Sequence, residues 1–511
     1  MKIKNIFLAI LSGFLLILSF PNFFSLSLSK WPGFMAWIAL IPLFCANYNK
    51  DFKDSFKLGF ICGFVFFAGT LYWITFIKEM GSLAYLSWIL LSLYLGLYVG
   101  VFCSLLSFTN LLFAPFLWVT FEFARAHFLS GFPWVLIGYS QFGNIPLIQI
   151  SSFTGVYGIS FLVVLINAGI AYFFLNVFKG SRVFLVLTVT IIIFIICYAY
   201  GLMMIAGYVT KDEYEKSSKL AEDIDRRIKV SVLQGNIEQD QKWSEEYADK
   251  TFNIYEGLTK EASKDSPELI IWPETAAPIY LKYDKKNFKK VKKIVESGNT
   301  YSLIGAPDAF IDKDYNIKES FNSAFLVSKE GRILSKYDKI HLVPFGEYVP
   351  YKDVFPFIQK LTKGTSDFSS GGMYTVFNGP DKFSVLICWE VIFPEPARKF
   401  VKNGANFLVT ISNDAWYRKS AAPYQHFITL PFRAVENKVN IIRAANTGVS
   451  GFVDYKGEIL DYLDIFKKGK LTSSIVMRNE VTFYNKFGDW FVKICAIIAA
   501  IGVIFIKKYR E

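Results

Sequence analysis

The chain has 511 residues, of which 53% are hydrophobic and 18% aromatic, and its formal net charge is +12. It is too long and too apolar for one ordinary soluble domain. Three stretches, 81–121, 129–178 and 183–210, contain no Asp, Glu, Lys or Arg. Because about 20 consecutive apolar residues cross a bilayer, the composition excludes a purely soluble protein and predicts a multi-pass α-helical membrane domain.

Eight membrane spans are predicted along the chain, at about 5–20, 33–47, 58–77, 83–106, 109–124, 152–176, 183–206 and 488–506. Gly131-Phe-Pro-Trp134 predicts a re-entrant or interfacial segment between spans, where non-helical backbone needs cover from protein or a wet cavity. Glu122 and Arg125 stand three residues apart beside it. They are interpreted as a local ion pair or as a contact for a phospholipid headgroup, and both readings stay open.

Positive charge marks the cytoplasmic side of membrane proteins. Four clusters fall on one side if the amino end is cytoplasmic: Lys2 and Lys4; Lys50, Lys53 and Lys57; Lys179 and Arg182; and residues 507–510. The predicted organisation is a membrane domain of seven spans at 1–207, an extracytoplasmic domain at 208–487, and a final helix with its cytoplasmic tail at 488–511. These clusters account for much of the net charge, so nucleic-acid binding is not expected.

Short apolar runs alternate with amphipathic segments between 208 and 487. Strands are predicted at 228–234, 269–274, 301–305, 383–388, 405–411 and 440–445, and helices at about 244–264 and 286–297. This alternation of helices with short buried strands predicts an α/β sandwich.

Polar residues stand where three of these strands end: Glu274, Cys388 and the run 412–414. In such sheets, catalytic groups gather at strand ends. Lys339 lies in a segment, 336–350, whose mixture of charge, Pro and Gly predicts an ordered loop. Together a carboxylate, an ammonium and a thiol form an acyl-transfer set, because Glu274 could act as base, Lys339 could stabilise thiolate and oxyanion, and Cys388 could attack.

Each member of this set also has a structural reading. Cys388, the one cysteine of six outside the long apolar runs, could be a buried small hydrophobe. Glu274 could sit at a turn after Trp-Pro, and Lys339 could be a solvated loop lysine. His341 and His426 leave a Cys and His dyad open as an alternative.

Five segments, in this order, resemble motifs of the carbon-nitrogen hydrolase (nitrilase) superfamily: Ile271–Glu274, Tyr337–Pro350, Leu386–Glu390, Ser412–Trp416 and Arg433–Gly448. The resemblance implies an α-β-β-α sandwich with Glu274 as base, Lys339 as the oxyanion-stabilising lysine and Cys388 as nucleophile. It also implies that Glu347 and Glu390 support the site.

The nitrilase-like part is fused to many predicted membrane spans. With this fusion, the chain resembles the apolipoprotein N-acyltransferase family over nearly its full length. Residues 341–350, 235–237 with 241–243, and 131–134 with 138–141 carry this likeness. It implies a substrate-binding role for Trp243 and makes Tyr348 and Trp389 further candidates for supporting residues. Trp389 stands where the family more often has Tyr, so a contact made by a phenol hydroxyl would be missing. No metal or organic cofactor is implied.

The resemblance implies a ping-pong reaction at a bacterial inner membrane, with the catalytic domain on the periplasmic side. Cys388 would take an acyl chain from the sn-1 position of a phospholipid and pass it to the α-amine of the diacylglyceryl-cysteine of an apolipoprotein. A monomer is expected. The alternatives are a membrane-anchored amidase or nitrilase acting on a soluble amide, and a transporter or scaffold whose outer domain has lost activity.

The apolar segment Val354–Ile358, followed by the Gly- and Ser-rich residues 364–372, is interpreted as an arm that dips into the membrane interface. A loop packed on its own domain is the alternative.

Overall fold

The computed structural model describes residues 2–28, 33–207, 226–238, 245–314, 316–350, 367–477 and 480–508. They fall into two compact units. The helical unit comprises 1–208, 420–436 and 482–511, and the sheet unit comprises 209–419 and 437–481. Trp243 and the segment Val354–Ile358 lie outside the described residues, so the interpretations placed on them stay predictions, as do the domain limits drawn from the sequence.

The helices in the first part of the helical unit overlap the predicted apolar segments, but several of their ends differ from the predicted ends by several residues. Its α-helices are α1 (Ile3–Leu18), α2 (Ile41–Asn47), α3 (Phe52–Thr70), α4 (Leu83–Leu106), α5 (Ala114–His127), α6 (Ile145–Ile148), α7 (Ser151–Thr154), α8 (Val156–Asn176) and α9 (Arg182–Ala206).

Three described helices, α4, α8 and α9, are long and apolar enough to cross a membrane. Shorter apolar helices cover 3–18, 33–47, 145–154 and 490–504. Most of the surface of α9 is apolar and exposed, with Phe184 54%, Ile195 56% and Ile196 62% accessible. Water would solvate such a surface poorly, so these helices indicate association with lipid. The number of crossings stays a prediction.

Glu122 and Arg125 on α5 hold the non-helical segment that follows their helix. The Arg125 guanidinium donates to the carbonyl oxygens of Phe132 (3.0 Å) and Trp134 (2.8 Å). Glu122 Oε1 accepts from the N–H of Ile137 at 2.7 Å. Buried backbone groups outside a helix need such partners, so both side chains satisfy the backbone of this segment. The ion-pair and headgroup interpretations stay predictions.

The sheet unit consists of two six-stranded mixed sheets. The first sheet has the order β12-β1-β2-β3-β4-β5, built from β1 (Arg227–Gln234), β2 (Leu269–Ile271), β3 (Tyr301–Ile311), β4 (Ile317–Val327), β5 (Ile333–Asp338) and β12 (Gly469–Val476). The second has the order β11-β10-β9-β8-β7-β6, built from β6 (Phe377–Asn378), β7 (Lys382–Ile387), β8 (Phe407–Ser412), β9 (Asn440–Ala445), β10 (Ser450–Val453) and β11 (Ile459–Leu463).

The two sheets have matching topologies. Strands β1, β2 and β3 run parallel in one, β7, β8 and β9 run parallel in the other, and antiparallel strands flank both triplets. The sheets pack on each other through β1 with β9 and β4 with β7. The parallel strands are almost completely buried, as expected where both faces are covered.

Helices cover the outer faces of the sandwich. Helices α10 (Glu245–Ser263) and α11 (Lys285–Gly298) bury one apolar stripe each against the first sheet. Phe252, Tyr255 and Leu258 of α10 share a core with Val291 and Val295 of α11 and with strand residues. Helix α12 (Pro394–Lys402) packs on β7 and β8. The sheet unit is therefore the α-β-β-α sandwich that the resemblance implies.

The helical unit also contains residues 420–436, which connect β8 to β9. They form α13 (Ala422–Phe427) and most of α14 (Leu430–Asn437), and α15 (Phe483–Phe487) and α16 (Trp490–Lys508) complete the unit. Gln425 Oε1 accepts from the indole N–H groups of Trp73 (3.1 Å) and Trp134 (2.8 Å), while its Nε2 donates to the carbonyl oxygens of Pro21 (2.8 Å) and Thr70 (3.3 Å). One buried amide thus satisfies four partners within this unit.

Candidate active site

Cys388 is the first residue after β7 and begins a short 3-10 turn, Cys388–Ile392. Its φ of +54° lies in the left-handed region, which a residue with a Cβ rarely adopts and which stores strain where function needs a sharp turn. The side chain is 8% exposed. Since Ile387 pairs with Ile411 in the parallel register of β7 and β8, Cys388 lies beside Ser412, whose Oγ is 3.5 Å from the sulfur.

Glu274 follows β2 and is buried, with 7% of its surface exposed. Its Oε1 accepts a hydrogen bond from Asn322 Nδ2 at 2.7 Å, and its Oε2 accepts from the backbone N–H of Asn413 at 2.7 Å. The carboxylate is therefore fixed by donors from both sheets, β4 on one side and the end of β8 on the other.

Lys339 follows β5 and is only 1% exposed. Its Nζ lies 2.8 Å from Glu347 Oε2, and its backbone N–H donates to the carbonyl of Asn322 at 2.9 Å. Burial lowers the pKa of the Lys339 ammonium, but the charges of Glu347, Cys388, Glu274 and Glu390 outweigh that effect, so the pKa lies above its ordinary value. These surroundings therefore favour the charged ammonium.

The surroundings of Cys388 favour the neutral thiol over the thiolate. Burial raises its pKa well above the ordinary value, the Glu274 carboxylate raises it further, and Lys339 and Ser412 oppose the rise. A neutral thiol is a poor nucleophile, so its proton has to leave as the sulfur attacks. The Glu274 carboxylate, which acts electrostatically on this thiol, is a group that can accept such a proton.

Glu390 joins the turn that carries Cys388 to the loop that carries Lys339. Its side chain is fully buried. Burial raises the pKa of Glu390, while Lys339 and its hydrogen-bond donors oppose the rise. Oε2 accepts from Ile387 N at 2.7 Å, and Oε1 accepts from Tyr337 Oη (2.7 Å), Ile340 N (2.8 Å) and His341 N (3.0 Å). Because its four donors lie on two segments, Glu390 fixes the distance between the turn of Cys388 and the loop of Lys339.

Asn322 is a site residue that sequence reasoning missed. Its single Nδ2 group donates to Glu274 Oε1 at 2.7 Å and to Glu347 Oε1 at 2.8 Å, so one neutral amide holds two carboxylates. The residue is 5% exposed on β4. Buried polar groups are hydrogen-bonded, but β4 is buried continuously over its last six residues, so its sequence has no alternation that would have marked Asn322.

The remaining candidates have more varied positions. Trp389 is buried, and its ring lies 6.3 Å from that of Phe393. Tyr348 accepts a backbone hydrogen bond from Phe345 at 2.8 Å in the loop after Lys339. The His341 ring packs on Phe393, and His426 belongs to the helical unit. Their roles stay predictions.

Among the described residues, no group of three or more His, Cys, Asp or Glu side chains could hold a metal ion. The lack of a cofactor stays an expectation. Within the sheet unit, the charged groups that act on the Cys388 sulfur are Glu274, Lys339 and Asp414. A carboxylate after β2, an ammonium after β5 and a thiol after β7 are groups that can perform acyl transfer through a covalent intermediate.

Two family models match the chain: apolipoprotein N-acyltransferase N-terminal domain at residues 12–169, and carbon-nitrogen hydrolase at 229–506. The apolipoprotein N-acyltransferase of Geobacter metallireducens is 37% identical over 98% of this chain and 94% of its own length. That of Wigglesworthia glossinidia brevipalpis is 33% identical over 99% and 100%. The chain belongs to the apolipoprotein N-acyltransferase family.

As a member of the apolipoprotein N-acyltransferase family, the protein is a bacterial, membrane-associated acyltransferase of lipoprotein maturation, with lipid and lipoprotein substrates. Among solved structures, an amidase from Nesterenkonia sp. is 19% identical, covering 49% of this chain and 90% of its own, with a TM-score of 0.38. Saccharomyces cerevisiae Nit3 is 18% identical over 49% and 90%, also with a TM-score of 0.38.

Proposed function

We propose that this acyltransferase moves a fatty acyl chain from the sn-1 ester of a phospholipid to the N-terminal α-amine of an S-diacylglyceryl-cysteine, by a ping-pong reaction through a thioester on Cys388. The observation that supports the proposal is that Glu274, Lys339 and Cys388 are all buried after β2, β5 and β7, and that Glu274 and Lys339 both act electrostatically on the Cys388 thiol. The family membership supplies the substrate classes.

In the first half-reaction, the Cys388 sulfur attacks the carbonyl carbon of the sn-1 ester while Glu274 accepts the thiol proton. The oxyanion that forms is stabilised by the Lys339 ammonium, a fixed positive charge in a buried site. The intermediate collapses with loss of the sn-1 alkoxide, which takes the proton back from Glu274. The products are a lysophospholipid and the Cys388 thioester.

In the second half-reaction, the lipoprotein α-amine attacks the thioester carbonyl and Glu274 accepts its proton. The Cys388 thiolate leaves and is protonated by Glu274, which restores the resting enzyme. A thioester survives until the amine arrives only if water is excluded, and burial of Cys388, Glu274 and Lys339 favours this. Trp243, Glu347, Tyr348, Trp389 and Glu390 are assigned to substrate binding and support of the site.

The proposal includes eight spans in the bacterial inner membrane, with the catalytic domain on the periplasmic side. Its support is the distribution of Lys and Arg: with the predicted spans and a cytoplasmic amino end, the four clusters fall on one face of the membrane, as the positive-inside rule expects. Both proposed substrates carry acyl chains, which agrees with a catalytic domain that is continuous with apolar helices at both ends.

The thioester can be observed directly by intact mass spectrometry of the purified full-length protein after incubation with phospholipid. We expect one fatty-acyl adduct on Cys388, because a neutral thiol with a fixed base and an ammonium attacks esters. A phospholipid with different chains at sn-1 and sn-2 identifies the donor position by the mass of the adduct. Cys388→Ala provides the control, which should acquire no mass.

Addition of a diacylglyceryl peptide then separates transfer from hydrolysis. Discharge of the adduct onto the peptide amine, with slow loss in water alone, supports the transferase. Rapid loss in water with no acylated peptide would instead support an amidase-like hydrolase. Absence of any adduct on the wild-type protein would overturn the thioester scheme.

Replacement of Asn322 by Ala should slow adduct formation by roughly 10- to 100-fold, because the loss of a hydrogen bond to a charged group costs about 1.5–3 kcal/mol. Glu274 and Glu347 would lose their shared donor. We expect the maximal acylation rate to fall, with little change in the phospholipid concentration for half-maximal rate. Asn316→Ala, an exposed change just before the same strand, is the matched control, and equal rates for the two variants would contradict the assignment.

A further inference from the structure

A buried chain of polar groups runs from β9 to the Cys388 sulfur. Arg443 Nη2 donates to Asp414 Oδ2 at 2.8 Å, and both side chains are fully inaccessible in the ion pair. Ser412 Oγ lies 2.8 Å from Asp414 Oδ1 and 3.5 Å from Cys388 Sγ. Arg443, Asp414 and Ser412 therefore form one connected row that ends at the proposed nucleophile.

Ser412 has one hydroxyl proton and two acceptors within reach. At rest, the shorter contact and the full negative charge favour donation to Asp414. When the Cys388 sulfur is ionised, it becomes a second charged acceptor for the same proton, and rotation about the Ser412 Cβ–Oγ bond is enough to redirect it. Asp414 keeps its ion pair with Arg443 in either case, so it is never left as an unpaired buried charge.

We propose that Ser412 is a further catalytic residue, which donates its hydroxyl hydrogen bond to the Cys388 thiolate as the thiol proton leaves, and that Asp414 and Arg443 are positioning residues that hold this hydroxyl in place. The thiol proton goes to Glu274 in the proposed reaction, and Ser412 keeps its own proton throughout. The inference rests on that reaction only for the identity of the base, because the hydrogen bond concerns ionisation of the thiol with or without lipid.

The surroundings of Asp414 explain why the row is ordered. Gly448 approaches so closely that a Cβ there would lie 2.1 Å from Asp414 Oδ2, and Arg443 Nε donates to the Val449 carbonyl at 3.1 Å. The carboxylate therefore has little freedom to turn away from Ser412. The parallel registers pair Ile387 with Ile411 and Thr410 with Arg443, so the ends of β7, β8 and β9 lie together.

Three charged groups act on the Cys388 sulfur: Glu274 after β2, Lys339 after β5 and Asp414 after β8. Glu274 and Asp414 disfavour the thiolate, and Lys339 favours it. Burial raises the pKa of Tyr417, which also follows β8 and interacts with Cys388. Ser412 is the neutral donor to the sulfur, so its removal shifts the balance in one direction. The thiolate should then become less accessible at every pH.

The test is the rate of alkylation of Cys388 by iodoacetamide in the full-length protein, followed on the Cys388 peptide by mass spectrometry between pH 7 and 10. Ser412→Ala should react roughly 10- to 100-fold more slowly at each pH, the effect of losing a hydrogen bond to a charged group. Ser412→Thr keeps the hydroxyl and should react at the wild-type rate. Ser412→Val has the shape of Thr without the hydroxyl and should behave like Ser412→Ala.

Ser384→Ala is the matched control. Ser384 is also fully buried in the second sheet, but its hydroxyl donates to the carbonyl of Thr375 at 2.8 Å. This variant should alkylate Cys388 at the wild-type rate. A partly unfolded variant would expose the thiol and react faster, so slower alkylation cannot come from misfolding.

Equal alkylation rates for Ser412→Val and Ser412→Thr would overturn the inference, and so would a faster rate for Ser412→Val in a protein that keeps the wild-type melting temperature. The assay contains no lipid. If the phospholipid incubation gives no acyl adduct, the proposed acyl transfer is contradicted but the role of Ser412 is not. If alkylation of the Ser412→Val variant is unchanged, only the role of Ser412 is contradicted.

Discussion

Lys339→Met should lower the rate of thioester formation on Cys388 by at least about 1000-fold, because removing a preorganised charge from an oxyanion site costs roughly 3–4 kcal/mol and the thiolate loses the same support. The Lys339 ammonium is the positive group that opposes the rise in the pKa of the Cys388 thiol. Its removal also leaves Glu347 without its ion pair. The measurement is the initial rate of acyl-adduct formation by intact mass spectrometry at saturating phospholipid.

Two variants isolate the role of charge position in this experiment. Lys336→Met removes a lysine three residues earlier, which pairs with Asp308 (2.6 Å) and Asp338 (2.8 Å), so it should leave acylation within about two-fold. Lys339→Arg keeps the charge but changes its shape and should give an intermediate rate. Lys339→Met with acylation within ten-fold of wild type would contradict the oxyanion role.

Much of the sheet unit could be predicted because its central strands are continuous apolar runs. The predicted strand at 440–445 is β9 as observed, and the amphipathic helix near 286–297 is α11. The flanking strands β4, β5, β10, β11 and β12 had no such signal. Most residues of β11 and β12 are only partly buried, so their apolar pattern is weak and the strands are recognised only by their partners.

Sequence motifs indicated the candidate reactive residues but not the side chains that hydrogen-bond to them. Glu274 and Cys388 stand at strand ends that the apolar pattern reveals. Asn322 bridges Glu274 and Glu347 across 48 and 25 residues of chain, and Ser412 reaches Cys388 through strand register. Such contacts depend on which strands are neighbours in space, and the order of residues in one chain does not determine that.

Residues 420–436 show the same limit on a larger scale. Between β8 and β9 they read as part of an alternating α/β pattern, yet their buried polar side chains find partners in the helical unit. Arg433 Nη2 donates to Glu436 Oε1 at 2.9 Å and to Tyr139 Oη at 3.1 Å, and Glu436 Oε1 also accepts from Val156 N at 3.0 Å. A buried charge needs such partners, which makes this pair a test of what holds the segment.

Arg433→Leu should lower the free energy of unfolding by about 3–5 kcal/mol, because it leaves the fully buried Glu436 without its counterion. The melting temperature in detergent, followed by size-exclusion fluorescence, should fall by about 10 °C. Arg332→Leu is the control: its side chain is 76% exposed and its guanidinium lies 3.9 Å from Glu330, a surface pair worth about 0–1 kcal/mol.

The double variant Arg433→Leu with Glu436→Leu decides between unpaired charge and lost packing. If the unpaired carboxylate causes the instability, removal of both charges should restore part of the melting temperature, since apolar replacements of a buried pair are often neutral. A double variant as unstable as Arg433→Leu would instead assign the loss to the hydrogen bonds to Tyr139 and Val156. The hydrogen bonds of Arg433 and Glu436, rather than their charges, would then hold residues 420–436 in the helical unit.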